Sequence, residues 1–278
     1  MIHDTDTNFL YLSDCLFKHQ PVFYTRFIKV LQELKIPYGL LPCTKDIWAK
    51  DFMPVQITAS EYTQFTFDPD YLKPVEFHHL HTGPKNVCNA INLHPQLSNI
   101  VLDGGNVIRS ANKVIVCDKI FVENPHMKES VLIDELSLIF KTDKIILIPW
   151  DQNDFTGHAD GMVRFIDDDT VLINQPTKDN TRFEKLFKSS LRRAGLNIVE
   201  IPYNPPNDPS LISAKGLHLN FLQMNQGVIV PVFNQETDDR AVSLLENIFK
   251  GKSITKIDCN EIAAEGGVLN CISWNVLI

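Results

Sequence analysis

The feature that most constrains the fold of this chain is a pattern that recurs three times between residues 104 and 257. Each copy contains a polar motif with glycine or asparagine, then a hairpin, a helix and a final strand. The copies open at Gly104-Gly105-Asn106, Gly157-His158 and His218-Leu219-Asn220-Phe221, and a successor opens at Glu265-Gly266-Gly267. Units of about 50 to 60 residues are typical of solenoids, propellers and other closed arrays, whose corresponding loops lie on one face. The repeat therefore predicts that the polar motifs converge.

The predicted elements follow the same order in each copy. Strands are predicted at residues 107–109, 114–116, 145–148, 162–166, 171–173, 198–201, 227–232 and 254–257, and helices at 128–140, 181–194 and 238–249. Ahead of the first copy, apolar spacing predicts a strand at 9–12, a helix through Phe27 to Leu34, a strand at 38–41 and two antiparallel strands within 55–67. His78, His79 and His81 are expected in the loop that follows.

Reactive side chains recur at equivalent positions of the repeat units, either after the last strand of one unit or at the opening of the next. They are Asp51, Asp103, His158 with Asp160, Asn220 and Cys271. An ordinary doubly wound α/β sheet also repeats strands and helices, but it gives no reason for these residues to be aligned. The shared phase therefore favours a closed array with one polar centre.

Composition limits the classes of partner. The 278 residues are 44% hydrophobic, which is enough for a large core in one domain or two. The net charge is -8 without a long run of Lys or Arg, so a small cationic ligand suits the chain better than nucleic acid or an anionic membrane. The first six residues carry acids rather than bases and no apolar run approaches the roughly 20 residues of a membrane span, which predicts a soluble, cytoplasmic protein. A homo-oligomer is compatible with the sequence.

The segment from Asp154 to Phe165 is the predicted chemical centre. His158 and Asp160 are two residues apart, and this spacing puts both side chains on one face of an extended segment. We therefore expect a strand to start here. Gly157 and Gly161 leave no bulk beside the two groups, as a close approach requires. The alternative is an ordinary glycine-rich turn with a solvated histidine.

Cys271 follows the paired glycines Gly266 and Gly267 and is the candidate nucleophile. The six cysteines include no Cys-x-x-Cys pair, so reduced thiols are expected, and burial as a small apolar side chain is the alternative for any one of them. Nearby carboxylates would raise the pKa of a thiol and oppose its activation. A cationic guanidinium would resolve this conflict, because it pairs with carboxylates and stabilises a thiolate.

Five motifs in order connect the chain to a known family. They are Trp48-Ala49-Lys50-Asp51-Phe52-Met53-Pro54, Asp103-Gly104-Gly105-Asn106, Gly157-His158-Ala159-Asp160-Gly161-Met162-Val163-Arg164-Phe165, Asn220-Phe221 with Gly227-Val228-Ile229-Val230-Pro231, and Gly266-Gly267-Val268-Leu269-Asn270-Cys271. The chain thus resembles the agmatine deiminases and Porphyromonas-type peptidylarginine deiminases of the guanidine-modifying (pentein) superfamily. The resemblance implies a five-bladed α/β propeller of pseudo-repeated ββαβ units around a central site, with residues 1–278 as one catalytic domain.

The resemblance also implies a reaction and its residues. A guanidino group becomes a ureido group and ammonia leaves through a Cys-bound amidino intermediate, with agmatine giving N-carbamoylputrescine as the first candidate and no cofactor or metal. Cys271 resembles the nucleophile and His158 the general acid and base. Asp51 and Asp160 resemble the carboxylates that hold the guanidinium. Asp103 stands where relatives commonly have Glu, and would orient His158 with a shorter reach.

Further positions define the expected pocket and its departures from the family. Trp48 is expected against the alkyl chain of the substrate or in the core, and Asn220 and Asn270 are expected to line the pocket or to cap loops. Asn270 stands where agmatine deiminases usually have His. Lys50 and Met53 replace an Arg and a Gly of the family motif, beside the place where a substrate carboxylate would lie.

Several alternatives stay open on the sequence. On the same fold, the chain could act on peptidyl or free arginine, transfer the amidino group to an amine, or bind without catalysis. A metal hydrolase would use His78, His79, His81, His158 and Asp160 as ligands. A substrate carboxylate would need a basic partner, for which Lys50 and Arg164 are the candidates within the motifs. Arg164 is expected to pair structurally with an acid instead.

Overall fold

The computed structural model describes residues 1–177, 181–208 and 211–278. Within these ranges, fifteen strands form five separate three-stranded sheets. In every sheet the first two strands along the unit pair antiparallel, and the third pairs parallel to the second. A parallel pair needs a crossover connection, which the helix or loop of each unit supplies. The predicted five-bladed α/β propeller of ββαβ units is confirmed.

The strands of the described residues are Phe9–Ser13 (β1), Tyr38–Leu41 (β2), Val55–Gln56 (β3), Tyr62–Thr66 (β4), Gln96–Val101 (β5), Ile108–Arg109 (β6), Val114–Cys117 (β7), Ile145–Ile148 (β8), Val163–Phe165 (β9), Thr170–Asn174 (β10), Asn197–Ile201 (β11), Leu222–Met224 (β12), Gly227–Val232 (β13), Ile254–Asp258 (β14) and Ser273–Val276 (β15).

The α-helices are Leu16–His19 (α1), Pro21–Glu33 (α2), Ala49–Phe52 (α3), Pro84–Ala90 (α4), Lys119–Glu123 (α5), Glu129–Phe140 (α6), Arg182–Arg193 (α7), Thr237–Ile248 (α8) and Asn260–Ala263 (α9). Short 3-10 helices span Asp4–Asp6, Asp70–Leu72, Val75–Leu80, Gly104–Asn106 and Ala159–Gly161. In the described residues, no helix combines the length and the apolar character needed to cross a membrane.

The middle strand of a blade is shielded on both faces, and its sequence shows why. β7 reads Val-Ile-Val-Cys and all four residues are buried. Strands covered on both faces read as continuous apolar runs rather than as alternating ones. Helix α2 instead has a proline at its first turn and buries Phe23, Phe27, Val30 and Leu31, a 3-to-4-residue spacing that places one apolar stripe against the core.

The ring closes between the two ends of the described chain. β15 pairs antiparallel with β1, so that Phe9 lies opposite Val276 and Leu12 opposite Ser273. β2 then completes the same sheet in parallel with β1. One blade is therefore built from residues more than 230 positions apart, and Cys271 enters the centre of the molecule directly before its first strand.

Two local predictions were wrong. The strand expected to start at His158 begins at Val163, and Asp160 lies in the 3-10 turn Ala159–Gly161. The turn forms because Met162 N donates to Ala159 O, which closes it before the sheet pairing begins. His78 and His79 lie in the 3-10 helix Val75–Leu80 rather than in a loop. The other predicted strands and helices are present, with ends shifted by a few residues at most.

Candidate active site

The carboxylates and the histidine predicted to converge do so at the centre of the ring. Asp51 lies in α3, Asp103 directly precedes the 3-10 turn Gly104–Asn106, and Asp160 lies in the turn Ala159–Gly161. Asp51, Asp103, His158 and Asp160 are all buried. The shared phase seen in the sequence therefore reflects a shared position in space, at the opening of successive blades.

His158 is held between two carboxylates. Its Nε2 lies 3.0 Å from Asp103 Oδ2, and its Nδ1 lies 3.5 Å from Asp51 Oδ1. The first distance is a hydrogen bond, whereas the second is an electrostatic contact too long for a good hydrogen bond. Asp103 therefore reaches His158 despite being one methylene shorter than Glu, and Nδ1 is the nitrogen left for a reacting group.

Gly105 makes this arrangement possible. A Cβ at this position would lie 2.5 Å from His158 Nδ1 and 2.6 Å from Asp51 Oδ1. The Gly105 backbone N–H also donates to Asp51 Oδ1 at 3.1 Å. The close approach predicted at Gly157 is confirmed, because a Cβ there would lie 2.8 Å from side-chain carbons of Lys119 and Trp150, and the turn also needs a positive φ. At Gly161 the prediction was wrong, since no atom lies closer than 3.9 Å to the place of a Cβ.

Two asparagines tie the Asp160 carboxylate to the Cys271 loop. Asn270 Nδ2 and Asn220 Nδ2 donate to Asp160 Oδ2 at 2.7 and 3.2 Å. Asn220 Oδ1 accepts from the backbone N–H groups of Asn270 and Cys271, at 3.0 and 3.3 Å. Both asparagines therefore lie in the centre rather than merely capping loops, and Asn220 fixes the thiol loop relative to Asp160.

The Cys271 thiol lies within this acidic group. Its Sγ is 3.5 Å from Asp160 Oδ2 and 3.4 Å from Asn220 Oδ1. Burial and the carboxylates of Asp160 and Asp51 raise the pKa of Cys271 well above that of an ordinary thiol. The predicted effect of the acids on the thiol is confirmed, and the raised pKa favours a neutral Cys271 thiol.

The charges of His158 and Asp51 are coupled. Burial alone would lower the pKa of His158, but the neighbouring carboxylates of Asp51 and Asp103 outweigh it and raise that pKa. Burial raises the pKa of Asp51, with His158 opposing it and the other carboxylates adding to it. His158 is therefore an imidazolium at neutral pH, with a proton on each ring nitrogen.

An aromatic rim that the sequence did not indicate covers this centre. Tyr71 OH donates to Asp103 Oδ2 at 3.3 Å, and its ring meets His158 and Phe155 edge-on. Tyr71 lies outside the repeated motifs, in the 3-10 turn Asp70–Leu72, so no spacing pointed to it. Trp48 is half-buried, belongs to a core cluster and packs where a Cβ on Gly267 would lie only 2.4 Å away.

The ligand set of the metal-hydrolase alternative is not assembled. His78 Nε2 contacts Lys73 O at 2.8 Å, and His81 Nε2 contacts Phe67 O at 3.1 Å. Among residues 1–177, 181–208 and 211–278, no group of three or more His, Cys, Asp or Glu side chains could hold a metal ion. His78 and His81 thus contact backbone carbonyls instead of joining His158.

Comparison with known families identifies the type of protein. The sequence model of the Porphyromonas-type peptidyl-arginine deiminases matches residues 27–276. The chain belongs to this family. The five motifs quoted above contain Asp51, Asp103, His158, Asp160, Asn220, Asn270 and Cys271, whereas Tyr71 lies outside them.

Individual relatives of the family extend the comparison. An agmatine deiminase of Pseudomonas putida is 27% identical over 218 residues, which cover 64% of this chain and 57% of the relative. The chain spans little more than half the length of the curated relatives it matches.

Solved structures show the same fold. The agmatine deiminase of C. jejuni superposes with a TM-score of 0.80 at 19% identity, and the match covers 98% of this chain and 94% of that chain. A dimethylarginine dimethylaminohydrolase, DDAH from Pseudomonas aeruginosa, has a TM-score of 0.60 at 12% identity, covering 97% of this chain and 99% of that chain. These structures show that the fold is shared.

Lys50 and Met53, which replace an Arg and a Gly of the family motif, lie behind the centre. Lys50, Arg109 and Arg164 line a cavity together with Asp4, and Asp160 and Asn270 also face it. Arg164 Nη2 pairs with Asp4 Oδ2 at 2.7 Å, which confirms its predicted structural pairing with an acid. Met53 is buried in the core instead of forming a glycine turn.

Proposed function

We propose that this protein is a hydrolase that converts a guanidino group to a ureido group, with agmatine as its substrate and N-carbamoylputrescine and ammonia as products. The observation that carries the proposal is the position of the Cys271 thiol, 3.5 Å from the Asp160 carboxylate and within the electrostatic influence of Asp51, which itself contacts His158. Such surroundings suppress a thiolate in the free enzyme. They favour one when a guanidinium neutralises the carboxylates.

Two carboxylate oxygens are available for that guanidinium. Among the described residues, neither Asp51 Oδ2 nor Asp160 Oδ1 accepts a hydrogen bond, although the other oxygen of each carboxylate is engaged. A guanidinium carries N–H donors in a rigid fork that suits paired carboxylates. Asp51 and Asp160 would therefore hold the guanidinium nitrogens and place its central carbon beside Cys271.

The chemistry follows in two steps. Guanidinium binding releases the Cys271 thiol proton to solvent. The thiolate then attacks the guanidinium carbon, and His158 Nδ1 gives its proton to the departing nitrogen, so that ammonia leaves an amidino group on sulfur. The now neutral His158 takes one proton from water, whose oxygen adds to the same carbon. As the carbon–sulfur bond breaks, the remaining hydroxyl proton passes to the leaving sulfur, which gives a ureido compound and restores the Cys271 thiol, while Asp103 keeps His158 oriented through Nε2.

The basic residues favour a substrate without an α-carboxylate. Arg164 is engaged by Asp4, and Lys50 faces the cavity behind Asp160 and Asn270. That cavity is not lined by Cys271 or His158. A free arginine would thus bring its carboxylate to a centre where the surrounding side chains are acidic. The acidic chain as a whole also suits agmatine, a dication.

The decisive experiment is a substrate panel. Agmatine, arginine, methylated arginines and an arginine peptide are incubated with the enzyme, with and without an amine acceptor, and ureido product and ammonia are measured. We expect agmatine to give the highest kcat/KM, with equal amounts of both products. Preference for arginine or its peptide would overturn the agmatine assignment, and amidino transfer without ureido product would overturn hydrolysis.

The proposal also covers the setting of the reaction. We take residues 1–278 to act as one catalytic domain in the cytoplasm, on a small cationic substrate and without a cofactor. The acidic net charge and the reduced cysteines support this setting.

A further inference from the structure

A cavity directly behind the catalytic carboxylates has no part in the proposed reaction. Its volume is about 20 Å³, which is room for one species of about the size of a water molecule. Lys50, Arg109, Arg164 and Asp4 line it, and Asp160 and Asn270 form the wall toward the thiol. We call this space the central cavity.

The cations around the central cavity are incompletely paired. Arg164 binds Asp4 Oδ2 and Phe221 O, and Arg109 donates to Gln56 O. Yet Arg164, which is only 7% exposed, keeps a buried Nε without an acceptor. Lys50 is partly buried, and its Nζ has no hydrogen bond or ion pair among the described residues. Buried polar groups nearly always have a partner, so Arg164 Nε requires one, and Lys50 Nζ is available as a further donor.

The charges of the lining also fail to balance. Lys50, Arg109 and Arg164 are cations, whereas Asp4 and Asp160 are the carboxylates that line the space. Asp160 is already shared, because its Oδ2 accepts from both asparagines and from Cys271. Burial lowers the pKa of His3, so its imidazole is neutral at neutral pH and does not alter this charge balance. An uncompensated charge out of water costs several kcal/mol in proteins.

We propose that the central cavity binds a small monovalent inorganic anion of about the size of chloride, held by the Lys50 ammonium with the Arg109 and Arg164 guanidinium groups beside it. One such anion supplies the missing negative charge and accepts from the N–H groups that lack a partner. The volume excludes sulfate, phosphate and organic carboxylates. The anion lies behind Asp160, so it is distinct from any group bound to the thiol.

The first test measures thermal stability at constant ionic strength while chloride replaces gluconate, an anion of equal charge that the cavity cannot admit. A ligand that binds the native state raises Tm in a saturable way, and we expect a rise of about 2–5 °C. The variant Lys50→Met should lose this response, and in gluconate it should be at least as stable as the wild type. Lys45→Met, which removes an exposed lysine from the loop before α3, should respond like the wild type.

The second test needs no variant. Crystals of the wild-type protein grown in bromide should show an anomalous difference peak in the central cavity, within contact distance of Lys50 Nζ. The absence of that peak overturns the proposal, and so does an equal chloride response in the wild type and Lys50→Met. Neither readout measures turnover. A negative result in these tests would therefore not argue against the proposed deiminase reaction, and a negative substrate panel would not argue against the anion site.

Discussion

His158 has two different carboxylate neighbours, and this asymmetry assigns separate tasks to its ring nitrogens. Asp103 binds Nε2 at 3.0 Å and fixes the ring, while Asp51 lies 3.5 Å from Nδ1 and leaves that nitrogen for the reacting group. The same carboxylates raise the pKa of His158 against the effect of burial. In the proposed reaction, the proton that departing ammonia needs is therefore already on His158 when the substrate binds.

The pH dependence of turnover follows from the directions in which the pKa values of His158 and Asp51 are shifted. Because the pKa of His158 is raised, the imidazolium persists at neutral pH and is lost only as the pH rises through that higher pKa. Because burial raises the pKa of Asp51, this carboxylate becomes protonated at a higher pH than an ordinary Asp, and guanidinium binding weakens below that point. We expect kcat/KM to be bell-shaped in pH. Both limbs should lie at higher pH than the ordinary pKa values of aspartate and histidine would give.

Removal of the imidazole tests its role in the same assay. His158→Ala should lose about 10²- to 10⁴-fold in kcat, the usual size of general acid–base catalysis, together with the alkaline limb of the profile. His126→Ala, which removes an exposed histidine, is the matched control. Unchanged kcat in His158→Ala would rule this role out.

At the scale of elements, the 3-10 turn Asp70–Leu72 brings Tyr71 over Asp103 and His158. Its hydroxyl donates to Asp103 Oδ2, and burial together with the neighbouring carboxylates raises the pKa of Tyr71, so it remains a donor. Tyr71→Phe keeps the ring contacts and removes the hydrogen bond. We expect kcat to fall about fivefold, the equivalent of one hydrogen bond, with KM little changed.

The pH profile separates this positioning role from a purely structural one. Without the hydroxyl, the negative charge of Asp103 is less compensated and holds the imidazolium more strongly, so the alkaline limb should move to higher pH. A Tyr71→Phe enzyme with lower Tm but an unchanged profile would show that the residue serves packing alone.

The turn Asp4–Asp6 joins two blades through one carboxylate. Asp4 binds Arg164 Nη2 at 2.7 Å and Asn275 Nδ2 at 3.2 Å. Burial alone would raise the pKa of Asp4, but Arg164, Lys50 and Arg109 hold it well below its usual range. This stabilisation is complete above the unfolded pKa of about 3.9 and is lost as the pH falls through the lower folded pKa.

Asp4→Asn should therefore reduce the free energy of unfolding by about 3 kcal/mol at pH 7, because it leaves Arg164 buried without its partner. The difference from the wild type should shrink at low pH, where Asp4 itself becomes protonated. Asp6→Asn changes an exposed acid of the same turn and should stay within about 0.5 kcal/mol. Equal denaturant midpoints for Asp4→Asn and the wild type would contradict the pairing.

At the scale of the whole molecule, ring closure explains what could be predicted. Asp51, Asp103, His158, Asp160 and Cys271 could be grouped from the sequence because a closed array gives equivalent positions in its units a common location. Tyr71 could not, since it lies in a connection outside the repeat. The contact between Asp4 and Arg164 joins residues 160 positions apart and leaves no periodic signal. The turn at Asp160 was missed because a two-residue spacing fits a strand as well as a tight turn.

The central claim is that Cys271, delivered by the closing strand β15, is the nucleophile of a guanidine hydrolase. The most direct measurement is ammonia release from agmatine by Cys271→Ala, beside Cys43→Ala, which removes an exposed thiol. With both variants folded by circular dichroism, we expect Cys271→Ala to fall to about one thousandth of wild-type turnover or less and Cys43→Ala to match the wild type. Full turnover by Cys271→Ala would contradict the mechanism.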